Sequence, residues 1–368
     1  MKTLRRLLYG EVIRSVAFVV LGFMSLFFFF DFVEEVQSVS RHAATGYTLG
    51  HALTYVVLMI PNHLYELMPI AVLIGTIFVM ARLAQSSEYT ILRTSGLDPW
   101  RALKALMVLG LAFVILTFAI GDYASPAADR TAQLLKAQYT GRITIGQTGA
   151  WLKERQDYGT YAVNVGELAS DGSLRSVRIF EFNNHGLLAS MTQGKSAVIQ
   201  EDDAWLINDV TRTEFALRDT SNAEIERLTM PSLRWPNSIS AEMVSAALLK
   251  PERMNTFDLF QYIQHLQSNQ QTAQRYEIEF WKKVFYPLSC LVMVVLALPF
   301  AYLHFRSGGI ATYVFGGVMA GISFFLLNNV FGYIGNLQNW QPWLTAALPG
   351  LIYSLLSLTA FAWLVLRR

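Results

Sequence analysis

The sequence predicts a polytopic α-helical membrane protein with six transmembrane helices, arranged as three plus three, and an inserted β-jellyroll-like domain. Three observations predict this fold class. Hydrophobic residues make up 53% of the 368 residues and charged residues only 15%, whereas a typical soluble domain carries about 25% charged residues. No Asp, Glu, Lys, Arg or His occurs from Ser307 to Leu366, and a spanning helix needs roughly 20 mostly apolar residues. Most acidic residues instead fall between Tyr123 and Arg275, where no spanning run occurs.

The apolar runs predict six spans in two groups. After the first run, the link Pro61–Glu66 is too short and too uncharged for an ordinary loop. We therefore expect an interfacial helix over Tyr47–Ile60, a break at the proline, and a span from about Leu64 to Leu83. One long second helix is the alternative. The other spans are predicted at about Val12–Phe32, Ala102–Gly121, Trp281–His304, Ile310–Ile334 and Pro342–Leu366.

Positive charges fall into alternate connections between these runs. Basic residues precede the first span, fill the connection between the second and third spans, and end the chain at Arg367 and Arg368. The intervening connections carry Arg41 against three acidic residues, or no charge at all. By the positive-inside rule, both termini are cytoplasmic and the segment after the third span lies on the far side of the membrane. No small-residue cleavage pattern follows the first run, which predicts a retained helix.

Residues 123–239 are predicted to form the β-jellyroll domain on that far side. Short β-branched and aromatic pieces alternate with turn signals such as Asp171-Gly172, as expected for a roll or sandwich of short strands. Residues 240–278 are expected to return to the membrane through amphipathic helices, and 279–368 hold the last three spans. The predicted strands are Arg142–Gly146, Gly159–Val165, Leu174–Phe182, Ser196–Gln200, Ala204–Ile207 and Ala223–Thr229, and the predicted return helices are Ser240–Leu249 and Thr256–Gln267.

The sequence offers no catalytic or metal-binding constellation. The six histidines show no metal-ligand spacing. Gly194-Lys195-Ser196 resembles the end of a phosphate-binding loop, but Ala189 occupies a position where that loop requires glycine. The centres of the spans carry no ionisable side chain, which ion-coupled transporters generally place there. We therefore expect no catalytic residue, metal or cofactor in this chain and no nucleic-acid partner, and any transport must use energy from another protein.

The cytoplasmic connection between the second and third spans carries start and stop signals for a short helix over about 86–96. Ser86 or Ser87 can cap it, Glu88 then lies in its first turn, and a glycine can end it. Tyr89 and Leu92 fall on one face. Such a helix suits docking into a groove of a partner protein, and the alternative is a plain connecting turn. The predicted coupling residues are Ser87, Glu88, Tyr89, Leu92, Arg93 and Gly96.

At this connection the sequence resembles the LptF/LptG family of lipopolysaccharide export permeases. The similar stretches are Leu83–Glu88 with Ser95-Gly96 after it, Gly121–Pro126 at the exit from the third span, and Trp281–Ser289 at the entry into the fourth. The order of three spans, β domain and three spans also matches, so the resemblance covers essentially the whole chain. The residues in these stretches are more similar to the LptG branch than to the LptF branch, and an LptF-type paralogue is the alternative.

The resemblance implies the permease subunit of an ABC transporter in the bacterial inner membrane. Such a permease extracts lipopolysaccharide and passes it through its periplasmic domain to a bridge towards the outer membrane. The implied partners are an LptF-like permease in a heterodimer, an LptB-like cytoplasmic ATPase dimer that hydrolyses the ATP, and an LptC-like single-span protein. Glu88 matches the acidic residue in the family's ATPase-docking helix. The resemblance also implies that the inward-facing side chains of the β domain are apolar.

The resemblance further implies two lateral gates, lined by the first and fifth spans. Some family members carry lysines near the outer end of the first span, where this sequence has Glu34 and Glu35 beside a further aspartate. No residue is therefore assigned to the phosphates of the lipid. The candidates for a gate or a lipid path are Phe27, Phe30, Asp31, Met319 and Phe324.

Three alternatives stay open on the sequence alone. Another ABC permease, driving a periplasmic process without moving lipid, would still dock an ATPase through the same segment. A scaffold that displays a β domain would need no ATPase and would tolerate Glu88→Lys. An intramembrane hydrolase is disfavoured because no suitable pair of nucleophile and base is present.

Overall fold

The computed structural model describes residues 2–43, 46–86, 88–94, 98–140, 150–156, 159–169, 172–183, 185–200, 204–217, 223–240, 243–244, 251–302 and 310–366. The chain divides into two compact units, each discontinuous in sequence. The helical unit comprises Met1–Gln37, Val56–Asp129 and Glu277–Arg368. The β unit comprises Ser38–Tyr55 and Arg130–Tyr276.

Long apolar helices dominate the chain. Within the described residues, five helices are long and apolar enough to cross a membrane, and counting one bent pair as a single span raises the number to six. This confirms the predicted class of a polytopic helical protein with an inserted β domain. The helices are α1 (Lys2–Arg41), α2 (Leu49–Gln85), α3 (Glu88–Thr94), α4 (Pro99–Ala119), α5 (Ser125–Thr140), α6 (Thr256–Ser268), α7 (Gln274–Phe285), α8 (Ser289–Ala297), α9 (Ile310–Leu337) and α10 (Pro342–Leu366).

The second span is one continuous helix. α2 runs through Pro61 and Pro69, so the predicted interfacial helix over Tyr47–Ile60 with a break after it is wrong, and the alternative of one long helix is correct. A proline removes one helical hydrogen bond and disturbs the preceding turn, but neighbouring helices can satisfy the freed groups. Pro69 leaves the Tyr65 carbonyl without its helical donor, and the Tyr286 hydroxyl donates at 2.5 Å to the adjacent Glu66 carbonyl in the same turn.

The third span is also longer than the predicted Ala102–Gly121. α4 continues through a π-helical turn, Ile120–Ala124, into α5. The stretch after Tyr123, predicted as the start of the β domain, is therefore helical as far as Thr140, and the first described strand begins at Ala150. A Cβ on Gly121 would lie 2.3 Å from the Tyr65 ring, so the absence of a side chain at Gly121 lets this turn pack closely against α2.

The fourth span is a pair of helices bent by 46°. α7 and α8 meet at a turn that contains Pro287, which has no backbone N–H to continue the first helix. A 3₁₀ turn, Leu298–Tyr302, ends the segment within the predicted Trp281–His304. The last two spans, α9 and α10, agree closely with their predicted ranges.

The helical unit has an apolar core in which α1 and α2 approach each other closely. Leu73, Ile77 and Met80 of α2 are fully buried. At Gly75 of α2 a Cβ would lie 2.7 Å from the backbone nitrogen of Val16 in α1. A larger residue at this position would therefore push the two helices apart.

The β unit contains a six-stranded antiparallel sheet whose strands follow one another in the order β1-β2-β3-β4-β5-β6. Five of the six predicted strands overlap observed ones, the sixth (Arg142–Gly146) lies outside the described residues, and β1 was not predicted. Three of its seven residues are charged, which hid its alternation of buried and exposed positions. The strands are β1 (Ala150–Gln156), β2 (Gly159–Leu168), β3 (Leu174–Phe182), β4 (Leu188–Gln200), β5 (Ala204–Leu217) and β6 (Ala223–Pro236).

A crease crosses the sheet from β2 to β6. Each of these five strands has one residue that is missing from the regular strand pairing, and the five residues lie opposite one another across the sheet. Ser176 and Asp209 have left-handed backbones there, with φ of 53° and 52°. On β3, β4 and β5 the buried positions on either side of the crease are three residues apart instead of two, so the same face stays inward on both sides. The residues of the crease are Gly166, Ser176, Lys195, Asp209 and Pro231.

Beyond the crease, the sheet rolls until β1 meets the segment after β6. Glu154 accepts a hydrogen bond from the Ser238 amide at 2.8 Å, and the Tyr161 ring lies 5.7 Å from Trp235. Contacts between elements this far apart in strand order close one end of the roll. The fully buried indole of Trp205 packs inside it and donates to the Ile239 carbonyl at 2.9 Å.

The predicted return helix Thr256–Gln267 is present as α6, whose N-cap Asn255 accepts a hydrogen bond from the Asp258 amide at 2.7 Å. At the other end of α6, Asn269 accepts from the Arg155 amide of β1 at 2.9 Å, so that this end covers the β1 edge. The other predicted helix, Ser240–Leu249, falls mostly outside the described residues.

Candidate functional site

The predicted coupling segment forms the short helix α3, with two different faces. Glu88 is exposed, and Ile91 one turn later has 62% of its surface exposed. Tyr89 is only 3% exposed, and its ring meets Tyr302 edge-on at 5.2 Å. The outward face therefore presents an acid and an aliphatic side chain, while Tyr89 packs into the core of its own unit.

This placement corrects the predicted apolar face of α3. Tyr89 anchors the helix and is unavailable to a partner, and Ile91 is the exposed apolar residue that sequence reasoning missed. The spacing i, i+3 between Glu88 and Ile91 is the signal that identifies their common face. Leu92 and Arg93 lie in α3, but their side chains are outside the described part of the chain, as are Ser87 and Gly96.

The ends of α3 differ in detail from the prediction. The Ser86 hydroxyl donates to the Leu83 carbonyl at 3.4 Å, so it binds the end of α2 instead of capping α3. Asp98 is the N-cap of α4, with Pro99 at its first position. Proline is favoured at the first helical position, and Pro99 therefore starts the next helix as well as preventing continuation of α3.

Two of the three gate candidates on α1 meet a single residue of α2. Asp31 Oδ2 lies 2.7 Å from His63 Nε2, and the ring of Phe27 stacks on the same imidazole with centroids 4.8 Å apart. Phe30 is exposed and contacts Phe29 edge-on. His63 was not predicted, because only the structure brings its position on α2 beside this end of α1.

The two candidates on α9 lie in different environments. Met319 is exposed, whereas Phe324 is buried and contacts the rings of Tyr286 and Tyr353 at 6.4 and 5.1 Å. The Phe324 side chain therefore packs inside its own helical unit, and Met319 is the α9 candidate on an open surface.

A buried lysine of the bent fourth span is a further residue that the sequence did not single out. Lys283 Nζ donates to the Gly121 carbonyl in the π-helical turn at 3.0 Å, and it lies 5.7 Å from the centre of the Tyr65 ring. Its neighbour Lys282 pairs with Glu279 at 2.7 Å. Lys283 thus ties α7 to the widened turn after α4.

The inner face of the β unit is apolar near the crease and polar further along the strands. Val163, Val177 and Val210 are buried there, as the resemblance implies. Towards the turn ends of the strands, however, Arg212 pairs with both Glu181 and Glu214 at 3.2 and 2.8 Å.

Neighbouring hydroxyls complete this polar network. Tyr161 and Ser190 donate to the Glu181 carboxylate at 3.2 and 2.6 Å. Burial, and then the Glu181 carboxylate, raises the pKa of Tyr161, so the phenol stays a hydrogen-bond donor. The expected apolar inner face is therefore present near the crease, and this end of it is polar. Across the described ranges, no three His, Cys, Asp or Glu side chains cluster closely enough to hold a metal ion.

Comparison with known proteins gives the same family along nearly the whole chain. The family described as lipopolysaccharide export system permease LptF/LptG matches residues 6–367. The lipopolysaccharide export system permease protein LptG of Escherichia coli strain K12 is 26% identical over 91% of both chains. The protein of the same name from Haemophilus influenzae is 27% identical over 100% of this chain and 99% of its own. The chain therefore belongs to the LptF/LptG family of lipopolysaccharide export system permeases.

Proposed function

We propose that this chain is the LptG-type permease subunit of a lipopolysaccharide exporter in the bacterial inner membrane. The family match over residues 6–367 carries the proposal. The names of the two relatives, both LptG, favour this branch over an LptF-type paralogue. In this role the chain extracts lipopolysaccharide from the membrane and passes it towards a periplasmic bridge.

The energetics require a partner that hydrolyses ATP. Each acyl CH₂ moved into water costs about 0.8 kcal/mol, and a lipopolysaccharide molecule carries several acyl chains. The chain supplies apolar helical surface for the lipid, and the energy enters from an LptB-like ATPase dimer in the cytoplasm. The permease itself binds no cofactor in this scheme.

The outward face of α3 is the proposed contact with that ATPase. Glu88 is exposed in its first turn and Ile91 adds an exposed aliphatic side chain one turn later. An acid beside an apolar side chain on a short helix suits a groove with a basic rim. The burial of Tyr89 at the opposite side fixes the helix to the permease, so that movement of the ATPase is transmitted to the bundle.

The remaining partners follow from the family role. An LptF-like permease forms the heterodimer, and an LptC-like single-span protein receives the lipid from the β domain. The distribution of basic residues supports cytoplasmic termini and a periplasmic β unit.

The test is ATP-dependent release of lipopolysaccharide from proteoliposomes that contain the chain, its partner permease and the ATPase. Wild type should retain the ATPase through purification and release lipid to a periplasmic acceptor. Glu88→Lys should lose the ATPase or uncouple its turnover from release. The matched control Glu226→Lys reverses an exposed charge on β6 and should leave ATPase retention unchanged.

Two outcomes would contradict the proposal. ATP hydrolysis without any release of lipopolysaccharide would favour a permease that drives another periplasmic process. Failure of any ATPase to co-purify with wild type would favour a scaffold.

A further inference from the structure

The β unit carries a cavity of about 970 Å³ beside its first hairpin. It lies on the face of β1 opposite the buried Leu152 and Glu154 side chains, next to β2, the β3–β4 turn and the end of α6. Its volume is near the upper end of the range for small-molecule pockets, roughly 300–1,000 Å³. The cavity is therefore large enough for a ligand of several rings, and it lies away from the inner face of the roll.

The charge of the lining is positive. Lys153 and Arg155 are two residues apart on β1 and point to the same face. Neither side chain has an ion pair or a side-chain hydrogen bond with any other residue that the structure describes. Among the described lining residues there is no Asp or Glu. Two cations without an ion pair among the described residues, side by side in one concave surface, favour an anionic ligand.

An aromatic platform lies beside the two cations. Trp151, on the same face of β1, stacks on Phe180 with centroids 5.7 Å apart and rings inclined by 23°. The stacking holds the indole in place, yet 51% of the Trp151 surface stays exposed. A rigid, half-exposed indole offers an apolar surface to the C–H face of a sugar ring.

Polar groups with free hydrogen-bonding capacity complete the lining. The Thr160 hydroxyl and the Gln271 side-chain amide have no polar partner within the described part of the chain. Asn183 uses Oδ1 to accept from the His185 and Leu187 amides, both at 3.0 Å, and its Nδ2 is left to donate elsewhere. Hydroxyl and amide groups of this kind match the hydroxyls of a saccharide.

We propose that this cavity binds an anionic saccharide, with its charged group on Lys153 and Arg155 and a sugar ring on Trp151. The proposal rests on the proposed function for its source, because lipopolysaccharide presents phosphorylated sugars. A carboxylate-bearing glycan of the cell envelope shares the same chemistry. A bidentate guanidinium and a neighbouring ammonium bind phosphate and carboxylate alike, so the source is left to experiment.

The probe is a deacylated lipopolysaccharide oligosaccharide with its phosphates intact, titrated calorimetrically into the full-length chain in detergent micelles. A phosphatase-treated sample and an oligogalacturonate serve as parallel ligands. The test variants are Lys153→Gln with Arg155→Gln, and Trp151→Ala. The matched control is Lys195→Gln with Arg227→Gln, which removes two exposed cations of β4 and β6. The unfolding temperature of every variant is recorded to verify folding.

We expect the phosphorylated oligosaccharide to bind wild type and the control pair equally. Binding should weaken at least tenfold in the Lys153/Arg155 pair and after phosphatase treatment, and several-fold in Trp151→Ala. Equal loss in the control pair would show a diffuse charge effect and overturn the site. Absence of binding to wild type would overturn it as well.

The parallel ligands also distinguish a failure of the proposed binding site from a failure of the proposed function. Tighter binding of oligogalacturonate than of the phosphorylated oligosaccharide, lost in the Lys153/Arg155 pair, would keep the site and overturn lipopolysaccharide as its source. Because the titration uses no ATP and no partner subunit, its result is independent of lipid release. A chain that binds the oligosaccharide but releases no lipid would keep this site and lose the proposed function.

Discussion

Asp31 of α1 and His63 of α2, which are 32 residues apart in the sequence, lie 2.7 Å from each other, carboxylate oxygen to imidazole nitrogen, and join the two helices. Phe27, one turn before Asp31, stacks on the same imidazole. Two of the candidate residues for a lateral gate or a lipid path are thus held by one side chain of the neighbouring helix. Any outward movement of this part of α1 has to break both contacts.

The first prediction concerns the strength of this pair. Asp31→Asn and His63→Gln should each lower the unfolding temperature in detergent, and a double-mutant cycle should give a coupling of about 1 kcal/mol. A partly exposed, charge-assisted hydrogen bond has this magnitude. Glu34→Gln, an exposed acid on the same helix, is the control and should have no effect. Strictly additive single changes would rule out the coupling.

The second prediction separates the two faces of α3. Tyr89→Ala should destabilise the chain by about 3–5 kcal/mol, since it removes a buried aromatic side chain. Ile91→Ser should leave stability within about 0.5 kcal/mol, because its side chain is exposed, yet weaken ATPase binding several-fold. Thermal unfolding and a pull-down with the ATPase measure the two effects. A stable Tyr89→Ala, or undiminished ATPase binding by Ile91→Ser, would contradict the assignment of the faces.

The third prediction uses two glycines of different surroundings. Gly75→Ala should cost about 1–3 kcal/mol, because the new Cβ would collide with the Val16 backbone. Gly22→Ala in α1, where a Cβ would meet no atom within 4 Å, should instead be neutral or stabilise by about 0.5–1 kcal/mol through helix propensity. Unfolding temperatures of the two variants in the same detergent provide the comparison, and equal shifts would mean that α1 and α2 are not tightly packed.

These helices also show which features the sequence can predict. The spans over Ile310–Leu337 and Pro342–Leu366 follow from uninterrupted apolar runs, and hydropathy alone locates them. α2 continues through Pro69, and beside that proline the Glu66 carbonyl is bound by the hydroxyl of Tyr286, far away in the sequence. The inward-facing Tyr89 likewise packs against the distant Tyr302. Local patterns contain no information on such distant partners.

Prediction of the strands from the sequence is also limited, but for a different reason. β3 was predicted with its observed bounds, because its apolar residues and flanking turn signals are clear. On β4 and β5 only the ends near residues 196–207 were predicted. The crease at Lys195 and Asp209 shifts the buried positions by one residue, so the period-two pattern changes phase in mid-strand and the longer strands are missed.

The fourth prediction tests the left-handed residues of that crease. Asp209→Gly should raise stability by up to about 1 kcal/mol, because glycine adopts a φ of 52° without a steric cost. Asp209→Val should lower it by about 1–2 kcal/mol, since a β-branched residue resists this conformation. Thermal unfolding in detergent ranks the stability of wild type and the two variants. If valine were tolerated as well as glycine, the backbone at the crease would not be left-handed.

The last prediction concerns acid sensitivity of the contact between α6 and β1. His265 is buried, its Nδ1 lies 3.4 Å from Asn269 Nδ2, and its Nε2 has no partner among the described residues. Asn269 in turn binds the Arg155 amide at 2.9 Å. Burial lowers the pKa of His265, because the charged imidazolium loses its hydration, and the neighbouring Tyr262 ring offers no compensating charge.

The direction in which stability changes with pH follows from this lowered pKa. Between the folded and unfolded pKa values the unfolded chain binds more protons, so stability rises with pH. The contribution is complete above the unfolded value of about 6.5 and is lost as pH falls through the folded pKa, at about 1.4 kcal/mol for each unit between them.

When the pH is lowered from about 7.5 to about 5.5, the unfolding temperature of wild type should therefore fall further than that of His265→Gln. The glutamine variant keeps a polar side chain beside Asn269 but cannot take up a proton. His185→Gln, which changes an exposed histidine of the β3–β4 turn, is the control and should follow the wild-type pH profile. Parallel profiles for wild type and His265→Gln would mean that protonation of His265 does not destabilise the folded chain, and would contradict the prediction.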